Sequence, residues 1–159
     1  KNFKRIETTT KQISFTDALW YFNISVVKKQ INEENAVIVI DNSDITKPCS
    51  PKMEAISDVR DGSTGEIRKG YFTVEAAVLS QNKKMPLPVY EKVFSAAEKG
   101  FISATHENLQ CLKSLSAHFS KNCVRTLDRG FDANDYYRYF LKKNCLQQYS
   151  WLKADVLHN

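Results

Sequence analysis

The sequence predicts an α/β domain: a mixed sheet flanked by helices. Three observations lead there. VIVI at 37–40 is all β-branched, too short for a helix, and reads as a strand buried on both faces. YFTVEAAVLS (71–80) and MPLPVYEKVFS (85–95) lie on either side of QNKK and read as a hairpin. A helical pattern, a further short strand and a second helical pattern follow, so a crossover joins the third and fourth strands and the sheet mixes directions.

Each element has a local reason. SFTDALWYFNISVVKKQI (14–31) sets Ala18, Leu19, Phe22, Val26 and Val27 at roughly helical spacing, with Ser14 or Thr16 as N-cap. Residues 32–35 are a polar break before VIVI. SPKMEAISDVRDGSTGEIRKG (50–70) reads as a long irregular loop with turn signals at Asp61-Gly62 and Thr64-Gly65. Pro86 and Pro88 cannot donate to a ladder, which assigns the third strand to a sheet edge. Thr105 is positioned to cap a helix whose Leu109, Leu112, Leu115 and Phe119 form one apolar stripe, sufficiently explained as core packing. CVRTLD (123–128) is a short strand ending in an aspartate. The second helix begins near Asp132 or Asn134 and carries Tyr136, Tyr137, Phe140 and Leu141 on its apolar side.

Composition narrows the function classes. A chain of 159 residues is one domain by size, with a core of useful volume. No apolar run approaches the ~20 residues that span a bilayer, and KNFKRIETTTKQ at the start has no apolar signal region. A net charge of +5 suits a polyanionic partner, although the basic residues are scattered as pairs rather than gathered in a tail. Cys49, Cys111, Cys123 and Cys145 show no CxxC spacing and no paired histidines, which argues against zinc and for a reducing cytoplasmic setting. His106, His118 and His158 have no ligand spacing and fit surface or capping roles.

Two strands end in carboxylates: Asp41 after the apolar run and Asp128 after Val124–Leu127. Each alone is explained by a solvated strand end or a turn. Together, on opposite sides of a crossover, they sit where open α/β sheets build their sites. Carboxylates on neighbouring strands suit Mg²⁺, which takes a few carboxylates plus water and phosphate oxygens. The matching chemistry is in-line phosphoryl displacement. Asp44 competes with Asp41 but reads as a turn residue, and Asp132 and Asp135 read as helix-opening acids. Arg129 fits a phosphate contact or an acid partner equally well. Lys47, in the loop expected after the first strand, fits a phosphate contact.

IDNSDITKP, VRDGSTGEIRKGYFTVEAAVLS and TLDRGFD, in that order, resemble the catalytic domain of bacterial insertion-sequence transposases of the DDE type. The resemblance covers roughly residues 36–144, leaving 1–35 as an N-terminal helical segment and 145–159 as an atypical tail. It implies a ribonuclease H-like fold, incomplete at the C-terminus: an antiparallel hairpin plus parallel strands, flanked by helices. It also implies Mg²⁺- or Mn²⁺-dependent cleavage at transposon ends and strand transfer into target DNA, by a multimer assembled on DNA in the bacterial cytoplasm. The family's first two aspartates fall on Asp41 and Asp128, as catalytic and metal-binding residues. Its third carboxylate, a glutamate on a later helix, has no counterpart. The last glutamate here is Glu107, and only Asp132, Asp135 and Asp155 follow Asp128. CLQQYSWLKADVLHN does not read as the strand expected next. Two functions therefore compete, a transposase fragment and a catalytically inactive remnant that keeps the fold with weak DNA or metal binding. An unrelated nucleotide-binding α/β domain is disfavoured by the absence of a Gly-rich loop after the first strand.

Overall fold

A computed structural model describes residues 13–50, 52–79, 85–128, 130–143 and 149–151. In chain order the elements are α1 (Ile13–Lys28), a 3-10 turn (Glu33–Asn35), β1 (Val37–Thr46), β2 (Ser57–Arg60), β3 (Ile67–Leu79), β4 (Leu87–Phe94), α2 (Ala104–His118), β5 (Val124–Leu127), α3 (Asn134–Lys142) and β6 (Tyr149–Trp151). The six strands form one sheet in the order β2-β3-β1-β5-β6, with β4 also paired to β3. β1 and β4 each pair antiparallel with β3, whereas β5 and β6 run parallel to β1. The mixed sheet flanked by helices is therefore as the sequence predicts.

Three expectations need correction. β1 does not stop at Asp41 but continues to Thr46, because β3 supplies a ladder partner for every residue from Val37 to Thr46. The segment expected as an irregular loop contains β2 and the first turn of β3, paired from Ser57↔Gly70 to Arg60↔Ile67. The tail contributes a strand after all, since Tyr149–Trp151 pairs in parallel with Arg125–Leu127. The capping residues differ too. α1 already includes Ser14 and Thr16, and Ser103, held in extended backbone, caps α2 by accepting from the His106 amide at 3.0 Å, with Thr105 inside the first turn. The QNKK loop at 81–84 lies outside the described residues.

Alternation along the strands sorts their side chains onto two faces. Ile38, Ile40, Val74, Ala76, Val78 and Leu127 share one face and are fully or almost fully buried. They join Ile24 and Val27 of α1, Cys111, Leu112, Leu115 and Phe119 of α2, and Tyr136 and Phe140 of α3 in one core. Burial pushes the Cys111 thiol up to about 12, so at neutral pH it acts as a small apolar filler. The opposite face is less covered: Val37, Val39, Ala77 and Val124 are half-buried, Leu79 and Val93 exposed, with Thr73 and Thr126 buried.

β4 is an edge strand, as Pro88 within it and Pro86 just before it require, and α1 closes that edge. Val89 is the extra residue between the Ala76↔Tyr90 and Ala77↔Pro88 pairs, and its carbonyl accepts from Trp20 Nε1 at 3.1 Å. Asn23 Nδ2 donates to the Pro88 carbonyl at 2.9 Å. At the other end of α1, Glu33 ties three segments together. It pairs with Lys28 at 3.1 Å and accepts from the Ser120 amide at 2.6 Å. Its carbonyl also accepts from the Cys123 thiol.

β2 and the start of β3 form an arm that folds back over the end of β1. Asp44, expected as a turn residue, is a strand residue whose Oδ1 accepts from the Gly62 amide at 3.0 Å and holds the tip of the arm. Within the tip, Asp61 accepts from the hydroxyl and amide of Ser63 and from the Thr64 amide. The Ser63 hydroxyl above all holds the Asp61 carboxyl below the usual carboxylate range. At Gly70 the arm meets β1 so closely that a Cβ would collide with the Ile45 carbonyl oxygen and with Val59.

Gly70→Ala is expected to destabilise the domain by about 3 kcal/mol, seen as a lowered urea midpoint, because backbone rather than a movable side chain blocks the methyl. Asp44→Ala is expected to accelerate hydrogen exchange at the Gly62 amide and cost about 1 kcal/mol, whereas Asp44→Asn keeps the acceptor and most of the protection.

Candidate metal and DNA site

The site is set by the register of one parallel pair. Ile40 lies opposite Leu127 where β1 and β5 run side by side. Asp41 follows Ile40 and Asp128 follows Leu127, so the two carboxylates leave adjacent strands at the same level. Both are exposed. Asp41 lies on the less covered face, opposite to Ile40, and its Oδ1 accepts from the Asn42 amide at 2.8 Å. The backbone positions just before Asp41 and Asp128, distant in sequence, are thereby adjacent.

Sequence reasoning missed the acids beside them. Asp41 pairs directly with Glu75 of β3, and Glu75 pairs directly with Glu91 of β4, so three carboxylates cross three strands in one line on one face. All three are exposed. The only signal was a charged residue inside each of two apolar strand patterns, VEAAV and VYEKVF, and the strand register was needed to align them. Thr73, itself almost fully buried, donates its hydroxyl to Glu75 Oε1 at 3.0 Å and fixes that side chain. With Val39, Ala76, Ala77, Pro88 and Tyr90 the three acids line a cleft of about 220 Å³. Burial first, then Cys111 and Glu107, push the Tyr90 phenol up to about 12, so that wall stays neutral at physiological pH.

Among the described residues no cation forms an ion pair with this row. Lys92, the nearest basic residue on β4, points to the packed face and is taken by Glu107 at 2.5 Å. Aligned like charges cost stability, and a cation would relieve them. Carboxylate oxygens are hard donors of the kind Mg²⁺ and Mn²⁺ accept. Asp41 and Asp128, which follow paired residues of adjacent strands, carry donors of this type. Among the described residues, however, no group of three His, Cys, Asp or Glu side chains is close enough together to hold a metal ion.

The remaining expected residues lie apart. Lys47 follows the end of β1, half-buried, with its amide donating to the Lys69 carbonyl at 2.7 Å. Six residues of strand put its backbone roughly 20 Å from Asp41, so the two side chains do not share a site. Arg129 is outside the described residues. Asp132 and Asp135 are exposed, and Asp135 pairs with Arg138 one turn on at 3.4 Å. His106 bonds Gln110, and His118 packs edge-on to Trp20 and Tyr21. No helix among the described residues is long and apolar enough to cross a membrane.

Comparison with protein-family models, curated proteins and solved structures gave no match.

Glu75→Gln is expected to raise stability by about 0.5 kcal/mol at low salt, because the amide oxygen keeps the Thr73 bond while the middle charge of the row disappears. The gain should shrink in molar salt. Thermal melts of the two proteins at both ionic strengths measure it, and a variant less stable at low salt would contradict the charge argument.

Proposed function

We propose that this chain is the central part of a DDE-type transposase catalytic domain with a ribonuclease H-like core, acting on DNA. The single observation that carries the reading is the Ile40–Leu127 parallel pair, which delivers Asp41 and Asp128 to one level of neighbouring strands. Four strands in antiparallel ladders, β1 to β4, followed by the parallel β5 and β6, with α2 and α3 between them, support the antiparallel-plus-parallel arrangement the motif resemblance implies.

In this reading Asp41 and Asp128 would hold Mg²⁺ or Mn²⁺. Bound metal would supply activation of the attacking oxygen and stabilisation of the leaving one in an in-line displacement. The chain's own residues do the positioning. β1 and β5, locked by their ladder, fix the two carboxylates, while α2 and the core close the packed face so that DNA approaches from the other. Lys47, roughly 20 Å along β1, would contact a backbone phosphate several nucleotides from the cleaved one, and Arg129 a phosphate beside Asp128. Such contacts give salt-dependent affinity rather than sequence readout.

The inactive-remnant reading draws on a specific observation too, the lack of a third ligating side chain near Asp41 and Asp128 among the described residues. Two measurements separate the readings. Titration with Mn²⁺, followed by electron paramagnetic resonance, is expected to show binding that Asp41→Asn and Asp128→Asn each weaken. Affinities unchanged in both variants would sink the site. Mn²⁺-dependent nicking of supercoiled plasmid by the chain, lost in Asp41→Asn, supports the enzyme; binding without nicking supports the remnant.

A further inference from the structure

Asp128 leaves the sheet on a loop that must turn into α3, and the structure pins that loop from both sides. The Phe131 amide donates to the Asp128 carbonyl at 3.0 Å, tying Phe131 to the aspartate itself. The Phe131 ring, 2% exposed, packs against Tyr136 in the first turn of α3 with centroids 5.3 Å apart. Tyr136, equally buried, accepts at its hydroxyl from Asn108 Nδ2 of α2 at 2.9 Å. A continuous path thus runs from α2 through Tyr136 and Phe131 to the backbone of Asp128.

The polar link in that path is costly for a part whose only task is packing. Asn108 is 3% exposed, and its Oδ1 has no hydrogen-bond partner among the described residues. A buried amide used at one atom only is less favourable than an apolar side chain of similar size. What the amide adds is direction: a hydrogen bond fixes the rotation of Tyr136, and through it Phe131, where apolar contact alone would leave several packings equal.

We propose that Asn108 and Tyr136 are positioning residues that hold Asp128 level with Asp41. This rests on the reading of those two aspartates as a metal-binding pair. The Asn108–Tyr136 bond sets where α3 begins relative to α2, and so sets the geometry of the loop between Leu127 and α3. Loss of the bond leaves the sheet intact and lets Asp128 drift from its place beside β1.

Three variants of the full chain test it: Tyr136→Phe, Asn108→Leu, and the two together. Tyr136→Phe keeps the ring against Phe131 but strands the Asn108 amide. The double variant removes both polar partners, which restores most of the stability lost by either single change. Positioning predicts that the double variant recovers its urea midpoint yet binds Mn²⁺ about tenfold more weakly than the parent, as for lost outer-shell partners of metal ligands. It also predicts faster hydrogen exchange at the Phe131 amide. Recovery of stability, Mn²⁺ affinity and Phe131 protection together would overturn the proposal and leave Asn108 as core packing. Asp41→Asn is the reference: if it does not change Mn²⁺ affinity, the metal-site reading fails and the positioning role falls with it.

Discussion

The pairing of β1 with β5 is the constraint on which the rest of the structure depends. Parallel neighbours cannot be joined by a tight turn, so the chain must leave the sheet, cross it and return. Here it goes out along β3 and β4 before α2 brings it back. The return is fixed at both ends of the helix. Ser103 caps its start, and at its far end Glu33 accepts from the Ser120 amide while Lys28 donates to the His118 carbonyl. Val124 then donates to the Ala36 carbonyl, and the parallel ladder begins in register. A slip of one residue would turn Arg125 and Leu127 out of the packed face and would separate Asp128 from the level of Asp41.

Packing and charge divide the sheet between them. One face is committed to the core, where α1, α2 and α3 converge on Ile38, Ile40, Val74 and Val78. The other carries the carboxylate row. Asp41, Glu75 and Glu91 stand on consecutive strands, and nothing about folding alone calls for three like charges in line. The core dominates the balance: burying one aliphatic side chain is worth about 2 kcal/mol, while one opposed pair of exposed like charges costs below about 1 kcal/mol. The domain tolerates the row because the packed face supplies more than the row removes.

How legible this was in the sequence varied with the range of the interaction. VIVI, most of the two hairpin segments (Tyr71–Leu79 and Leu87–Phe94) and Leu109, Leu112 and Leu115 of the apolar stripe announced themselves through local periodicity and lie in the elements expected. The arm at 57–70 did not, because SDVR and the start of IRKGYF are held by pairing with each other and by the Gly62–Asp44 bond rather than by an apolar pattern. Tyr149–Trp151 was invisible for the same reason: three residues become a strand only because β5 offers an edge. Asp41 and Asp128 were recognisable as strand-terminal acids, but β3 carries β1 onward, so Asp41 is a mid-strand residue. Glu75 and Glu91 needed the register of two ladders before they could be seen beside it.

That mid-strand placement bears on what the site can accommodate. An aspartate at a strand end is approachable from many directions, whereas Asp41 is paired to Glu75 of β3 on one side, and on the other the β5 ladder stops one residue before it. The packed face is filled by the core beneath Ile40, so a ligand reaches the carboxylate only from the face that also bears Glu75. Any further ligating group, whether a side chain, a water or a phosphate oxygen, must therefore descend onto that face beside a negative row. A phosphodiester is itself anionic and would be repelled there unless a divalent cation lay between. Under the transposase reading proposed above, the same row would disfavour bare DNA and would make its approach conditional on a divalent cation.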